Sequence, residues 1–166
     1  GSSEEQQAQR LVQMHTRGLS QRILFSSWYK VFDTVVAGSS EDKRAAQTTG
    51  LFDINGNPKP SYYAYQTMTE ELAGAQYARE LEVSDAEGYV FRMPGGYEKT
   101  VLWAQEGESS ANVTFPFSCM RGVDLYGTSY EPILDGDVGW DHDGVVNEQI
   151  NLAVYENTPF YVQPCR

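Results

Sequence analysis

The chain has 166 residues, 40% hydrophobic and 13% aromatic, a globular composition for one ordinary domain or two small ones. No apolar run approaches the roughly 20 residues that span a bilayer, and a net charge of −11 excludes the basic surface that a nucleic acid backbone requires. The charge is uneven: residues 1–74 carry 7 basic and 8 acidic side chains, and residues 75–166 carry 5 and 15.

The first expected element is a helix over residues 4–18. Ala8, Leu11, Val12, His15 and Leu19 recur on one face of a helical period. Ser2 or Ser3 followed by Glu5 or Gln6 forms a capping-box start, and Gly18 reads as the stop. His15 falls on the apolar face and is read as a core or interface histidine. Residues 22–29 read as a strand covered on both faces, because Ile23, Leu24 and Phe25 are consecutively apolar. Residues 34–57 read as a loop with a short helix at Glu41–Gln47. Asn55-Gly56 signals a tight turn. Pro58 and Pro60 lead into a second helix, residues 60–73, with Ala64, Tyr65, Met68 and Leu72 as its buried stripe and Gly74 as its end.

From Gln76 the period changes to two. Tyr89, Phe91 and Met93 alternate with polar neighbours or a second apolar face. Lys99–Ala104 is apolar on both faces, and Ala111, Val113 and Phe115 alternate with Asn112 and Thr114. Shorter strands are expected around Met120–Leu125 and Ile133–Leu134. A last hairpin pairs Val145–Val154 with Phe160–Val162. Such spacing indicates an antiparallel sandwich or small barrel, with a boundary near Gly74-Ala75 and no flexible linker.

Two cysteines, Cys119 and Cys165, stand 46 apart. They read either as one disulfide, which suits an exported protein, or as two free thiols. No C-x-x-C pair, nucleophile elbow, Walker loop or dinucleotide fingerprint is present, so no metal or cofactor is expected. Asp135, Asp137, Asp141 and Asp143 read as a solvated hairpin rather than a Ca²⁺ loop. Counting Asp141 and Asp143 as positions 3 and 5 of an EF-hand puts Gly139 at position 1 and Ile150 at position 12. Tyr126, Tyr130, Trp140 and Tyr155 are read as sandwich core or, alternatively, as a sugar platform.

The order helix, apolar strand ending in Trp28-Tyr29-Lys30-Val31-Phe32-Asp33, long loop, Gly50-Leu51-Phe52-Asp53-Ile54-Asn55-Gly56-Asn57-Pro58-Lys59-Pro60-Ser61, helix, β domain resembles the C-terminal end of a retaining clan A glycoside hydrolase. The xylosidases, galactosidases and endoglycanases are its neighbourhood. The resemblance implies an α+β chain: a partial (β/α)8-barrel end (helix–strand–helix), residues 1–74, packed on an antiparallel β-sandwich, residues 75–166. It makes 4–18 the seventh barrel helix, 22–29 the eighth strand and 60–73 the eighth helix.

Barrel active sites sit at the C-terminal ends of the strands. Trp28 matches the tryptophan that floors the subsite of the reacting sugar in that family, and Tyr29 and Asp33 would line the same mouth. Without the resemblance, Trp28 and Tyr29 read as core aromatics and Asp33 as a loop cap. The family's two carboxylates, about 5–5.5 Å apart, come from the fourth and seventh strands, upstream of anything present here. Glu4 and Glu5 fall on the helix that follows, so no catalytic residue is assigned. The chain is then expected to be inactive alone, with a carbohydrate as the ligand of the parent protein and with the rest of the barrel or a second copy as its protein partner. An extracellular or periplasmic home is favoured. The alternative is a stand-alone carbohydrate-binding or protein-interaction β-sandwich.

Overall fold

The computed structural model describes residues 3–23, 26–34 and 49–166. It is α+β, with two helices among the described residues, α1 (Glu4–Ser20) and α2 (Pro60–Glu71). Eight strands follow: β1 (Gln76–Glu80), β2 (Ala86–Arg92), β3 (Glu98–Ala104), β4 (Ser110–Phe115), β5 (Cys119–Val123), β6 (Ser129–Leu134), β7 (Ile150–Tyr155) and β8 (Phe160–Pro164).

Local rules account for both ends of α1. Ser3 is the N-cap; its hydroxyl accepts from Gln6 N, and the Gln6 side chain accepts from Ser3 N. The helix runs through Gly18 and ends two residues beyond it, correcting the expected stop. Ile23 N donates to Gly18 O and Arg22 N to Leu19 O, while Arg22 takes a left-handed conformation at φ 56°. That is a Schellman ending in which Arg22 occupies the place a glycine usually holds and Gly18 is a full turn earlier. Helix α2 starts on Pro60, and Gly74 at φ 70° turns the chain after it.

The strands form a six-stranded antiparallel sheet in the order β1-β2-β3-β8-β5-β6 and a two-stranded sheet of β4 and β7. The molecule is layered. On one face of the large sheet, Tyr89, Phe91, Val101, Trp103, Val123 and Tyr161 pack with Ala8, Leu11 and Val12 of α1 and with Ala64 and Met68 of α2. On the other, Leu102, Ala104, Met120 and Val162 pack with Val113, Phe115, Ile150 and Leu152 of the small sheet. Central strands covered on both faces read as continuous apolar runs, which is why Thr100–Ala104 is buried throughout. Residues on both sides of the expected boundary at residue 74 therefore share one cluster.

Two further expectations are corrected. The hairpin of the last two strands does not form: β7 pairs with β4, and β8 lies between β3 and β5. Among the described residues of 22–29, none lies in a strand. Leu24, Phe25 and the helix expected at Glu41–Gln47 lie outside the described residues. Cys119 and Cys165 are bonded, with Cα atoms 5.4 Å apart, where the chain leaves β8 beside the start of β5. No described helix is long and apolar enough to cross a membrane.

Candidate functional site

The Trp28–Asp33 and Thr49–Lys59 segments lie side by side. Leu51 N and Phe52 N both donate to Val31 O at 2.9 Å, Asp33 N donates to Phe52 O, and Lys59 N returns to Leu51 O. Asp53 closes the intervening turn. Its carboxylate accepts from the backbone of Asn55 and Asn57 and from the Asn57 amide. The hydrogen bonds from the Asn57 side chain and backbone hold the Asp53 carboxyl below the usual carboxylate range.

Trp28 is half-buried against the helix-side core, and its indole N–H donates to Thr49 O at 2.8 Å. Its single polar group is thus already engaged, and what it retains is ring face. Tyr29 is 80% exposed, with Lys30 Nζ 5.8 Å from its ring centre. Lys30 itself sits at φ 135°, a region that costs a side-chain-bearing residue of order 1–3 kcal/mol. Val31 and Phe32 are also exposed, and Phe32 begins a row of ring contacts through Phe52 and Tyr62 to Tyr63.

Asp33 is placed differently from its neighbours. Its side chain is 8% exposed and that of Lys59, 3.0 Å away, is 3% exposed. Asp33 Oδ1 also accepts the Gly50 N–H at 2.6 Å. The Gly50 carbonyl in turn accepts from Gln7 Nε2 of α1 and from Ser61 Oγ of α2. The backbone of one residue, Gly50, thus ties both helices and the aromatic segment together. The sequence places Lys59 in the motif between two prolines but assigns it no role.

Gly50 has no room for a side chain: a Cβ would overlap Asp33 N and stand 2.6 Å from the Phe32 carbonyl carbon. Backbone cannot swing away as a side chain tip does. Gly50→Ala is expected to destabilise by about 1–3 kcal/mol. Gly18→Ala, where a Cβ meets only Ile23 Cδ1 at 3.9 Å, should be neutral or stabilising. Urea melts of the two variants check the contrast.

The other expected residues separate. His15 is buried against Tyr65, burial pulls its pKa down, and its Nε2 has no partner among the described residues. Glu5 takes the Tyr126 hydroxyl, away from the other aromatics, and Glu4 lies 3.8 Å from Lys59. Asp141 is fully buried rather than solvated, accepting from Gly136 N and Asn151 N, and Asp135 caps Asn147 and Glu148. No cluster of metal-ligating side chains occurs among the described residues. A polar cleft of about 760 Å³ runs between α1 and the large sheet. In it Arg17 bridges Glu87 at 2.6 Å and covers the ring of buried Trp103, so the cleft offers no aromatic face.

No family model and no curated protein matches the chain in sequence. Among solved structures it is similar to a family 39 glycoside hydrolase from the gut symbiont Bacteroides cellulosilyticus WH2. That match has a TM-score of 0.72 at 17% identity and covers 99% of this chain and 31% of the other. A family 51 arabinofuranosidase from Xanthomonas axonopodis pv. citri aligns at TM-score 0.42 and 10% identity, over 70% of this chain and 29% of that one, too loosely to carry an argument. The chain thus spans about a third of the length of the family 39 structure, and the likeness is one of fold. What the chain carries is a fold like that of part of this family 39 glycoside hydrolase.

Proposed function

We propose that this chain is the C-terminal part of a glycoside hydrolase-like protein, with residues 1–74 as the last unit of a (β/α)8 barrel and residues 75–166 as the sandwich that follows it. In this reading Trp28 and Tyr29 present ring faces to a sugar at the barrel mouth. Asp33, engaged by Lys59 and Gly50, fixes the segment that carries them. The catalytic carboxylate pair belongs to other parts of the parent protein. The observation that carries the reading is the match of nearly the whole chain to under a third of a family 39 glycoside hydrolase. Two features agree with it: a run of exposed residues at Tyr29, Val31 and Phe32, suited to burial against further polypeptide or ligand, and the strained backbone of Lys30 between them.

The chain alone should not turn over aryl glycosides or polysaccharides. Turnover that survives purification and disappears when a carboxylate of this chain is replaced would overturn the reading. In the parent protein, Tyr29→Ala should leave the melting temperature unchanged, because the ring is exposed, and should raise KM.

A further inference from the structure

We infer that the β-sandwich carries a second site, for a neutral oligosaccharide, built around Trp140 and Tyr155. The two residues are 15 apart in sequence and on different elements, and β7 brings them together. Ile150, Leu152 and Val154 of β7 point into the core, so Asn151, Ala153 and Tyr155 face outward. Trp140 precedes Asp141, whose main chain bridges Leu152 of the same strand. Two clefts, of about 370 and 180 Å³, are both lined by Trp140, Ala153 and Tyr155. The larger lies within the range of about 300–1,000 Å³ typical of small-ligand sites.

Three observations make this a formed site rather than a chance dent. The Trp140 ring is held, with Tyr130 at 4.6 Å and Phe160 at 6.2 Å between ring centres. The loop behind it is fastened, because the buried Asp141 carboxylate accepts two backbone N–H groups and Asp141 N donates to Asp137 O at 2.6 Å. The functional ends are free: among the described residues, Trp140 Nε1, Tyr155 Oη and the His142 ring have no hydrogen-bond partner, and Tyr155 is 64% exposed.

The chemistry selects the ligand class. Flat apolar faces with unpartnered donors at their edges match a pyranose, which offers C–H faces and a rim of hydroxyls. Residues 75–166 hold 5 basic against 15 acidic side chains, which disfavours anionic glycans, so the ligand is uncharged. Rigid walls lower the ordering cost of binding.

The test is affinity electrophoresis of the full chain through gels containing xylan, mannan, galactan, arabinan or mixed-linkage glucan, followed by titration with oligosaccharides of whichever glycan retards it. Tyr155→Ala removes an exposed ring, and Ala153→Lys puts a long side chain into the lining that both clefts share, from a half-exposed position; neither deletes core. Each is expected to weaken binding at least about tenfold, with amide spectra unchanged elsewhere. Tyr63→Ala, which removes an exposed ring of α2 outside both clefts, should bind as the unaltered chain does. Absence of retardation by every glycan, or retardation unaffected by both Tyr155→Ala and Ala153→Lys, overturns the proposal. Loss of binding in Tyr29→Ala alone would overturn it in favour of the barrel mouth.

Discussion

Glu71→Ala is expected to destabilise the fold by about 3–5 kcal/mol, the cost of leaving a buried charge without its counter-ion. Glu71 is the last residue of α2. It pairs with Lys99 of β3, which also donates to the Glu71 carbonyl at 2.9 Å, and receives Arg121 of β5 at 3.1 and 3.2 Å. The Lys99 side chain is 5% exposed, so its ammonium cannot turn to water once the carboxylate is gone. Adding Lys99→Met to Glu71→Ala should recover much of the loss, because apolar replacement of a buried pair is close to neutral. Equal losses in the single and double variants would show that α2 packing, not charge, sets the cost.

The same network fixes a pH dependence. Burial alone would push the Glu71 carboxyl up, but hydrogen bonds and charge from Arg121 and Lys99 outweigh it and hold the carboxyl below its ordinary range. A depressed folded pKa means that the stabilisation is fully present above the ordinary glutamate value, about 4.3. It is lost as pH falls through the lower, folded value. The wild-type protein should therefore lose stability in that acid window more steeply than Glu71→Ala, as read from urea midpoints across the range.

Breaking the Cys119–Cys165 bond is the second large expected effect, about 2–4 kcal/mol. The bond closes a loop with a sequence separation of 46 that contains β5, β6, β7 and β8, so the unfolded chain gains most of the freedom. The native sheet loses less, because β5 and β8 are already paired and Cys165 N donates to Cys119 O at 3.1 Å. Cys165→Ser, or reduction with the thiols counted, should lower the urea midpoint while leaving far-ultraviolet circular dichroism unchanged in water. A midpoint insensitive to reduction would contradict this.

How much was legible follows from the range of each interaction. The start of α1 and its buried face were readable because capping and the apolar period act within one or two turns. Its end is less legible, because Gly18 looks like the stop while Arg22 supplies the left-handed residue. The strand positions from β2 to β8 were largely readable, since alternation is local. Strand pairing was not: Val154 finds Ala111, and Tyr161 finds Val101 and Val123, so adjacency in sequence misassigned the last hairpin. The aromatic cluster Trp28-Tyr29 was visible as a motif, but the Asp33–Lys59 pair joins residues 26 apart, and Glu71, Lys99 and Arg121 each look like ordinary surface charges.

The sequence by itself determined the start of α1, the position of α2 and most strand positions, the near-neutral balance of residues 1–74 against the acidic residues 75–166, and a resemblance resting on residues 28–61. Only the tertiary structure decided which charges are buried, which cysteines and strands are joined, and which aromatics share a surface. Trp140 and Tyr155 are both turn-and-strand aromatics in the sequence, and nothing local says they face the same solvent. Their meeting depends on the bridge between Asp141 and Leu152 of β7 and on the packing of Trp140 against Tyr130 of β6 and Phe160 of β8, contacts between separate elements that bury apolar surface.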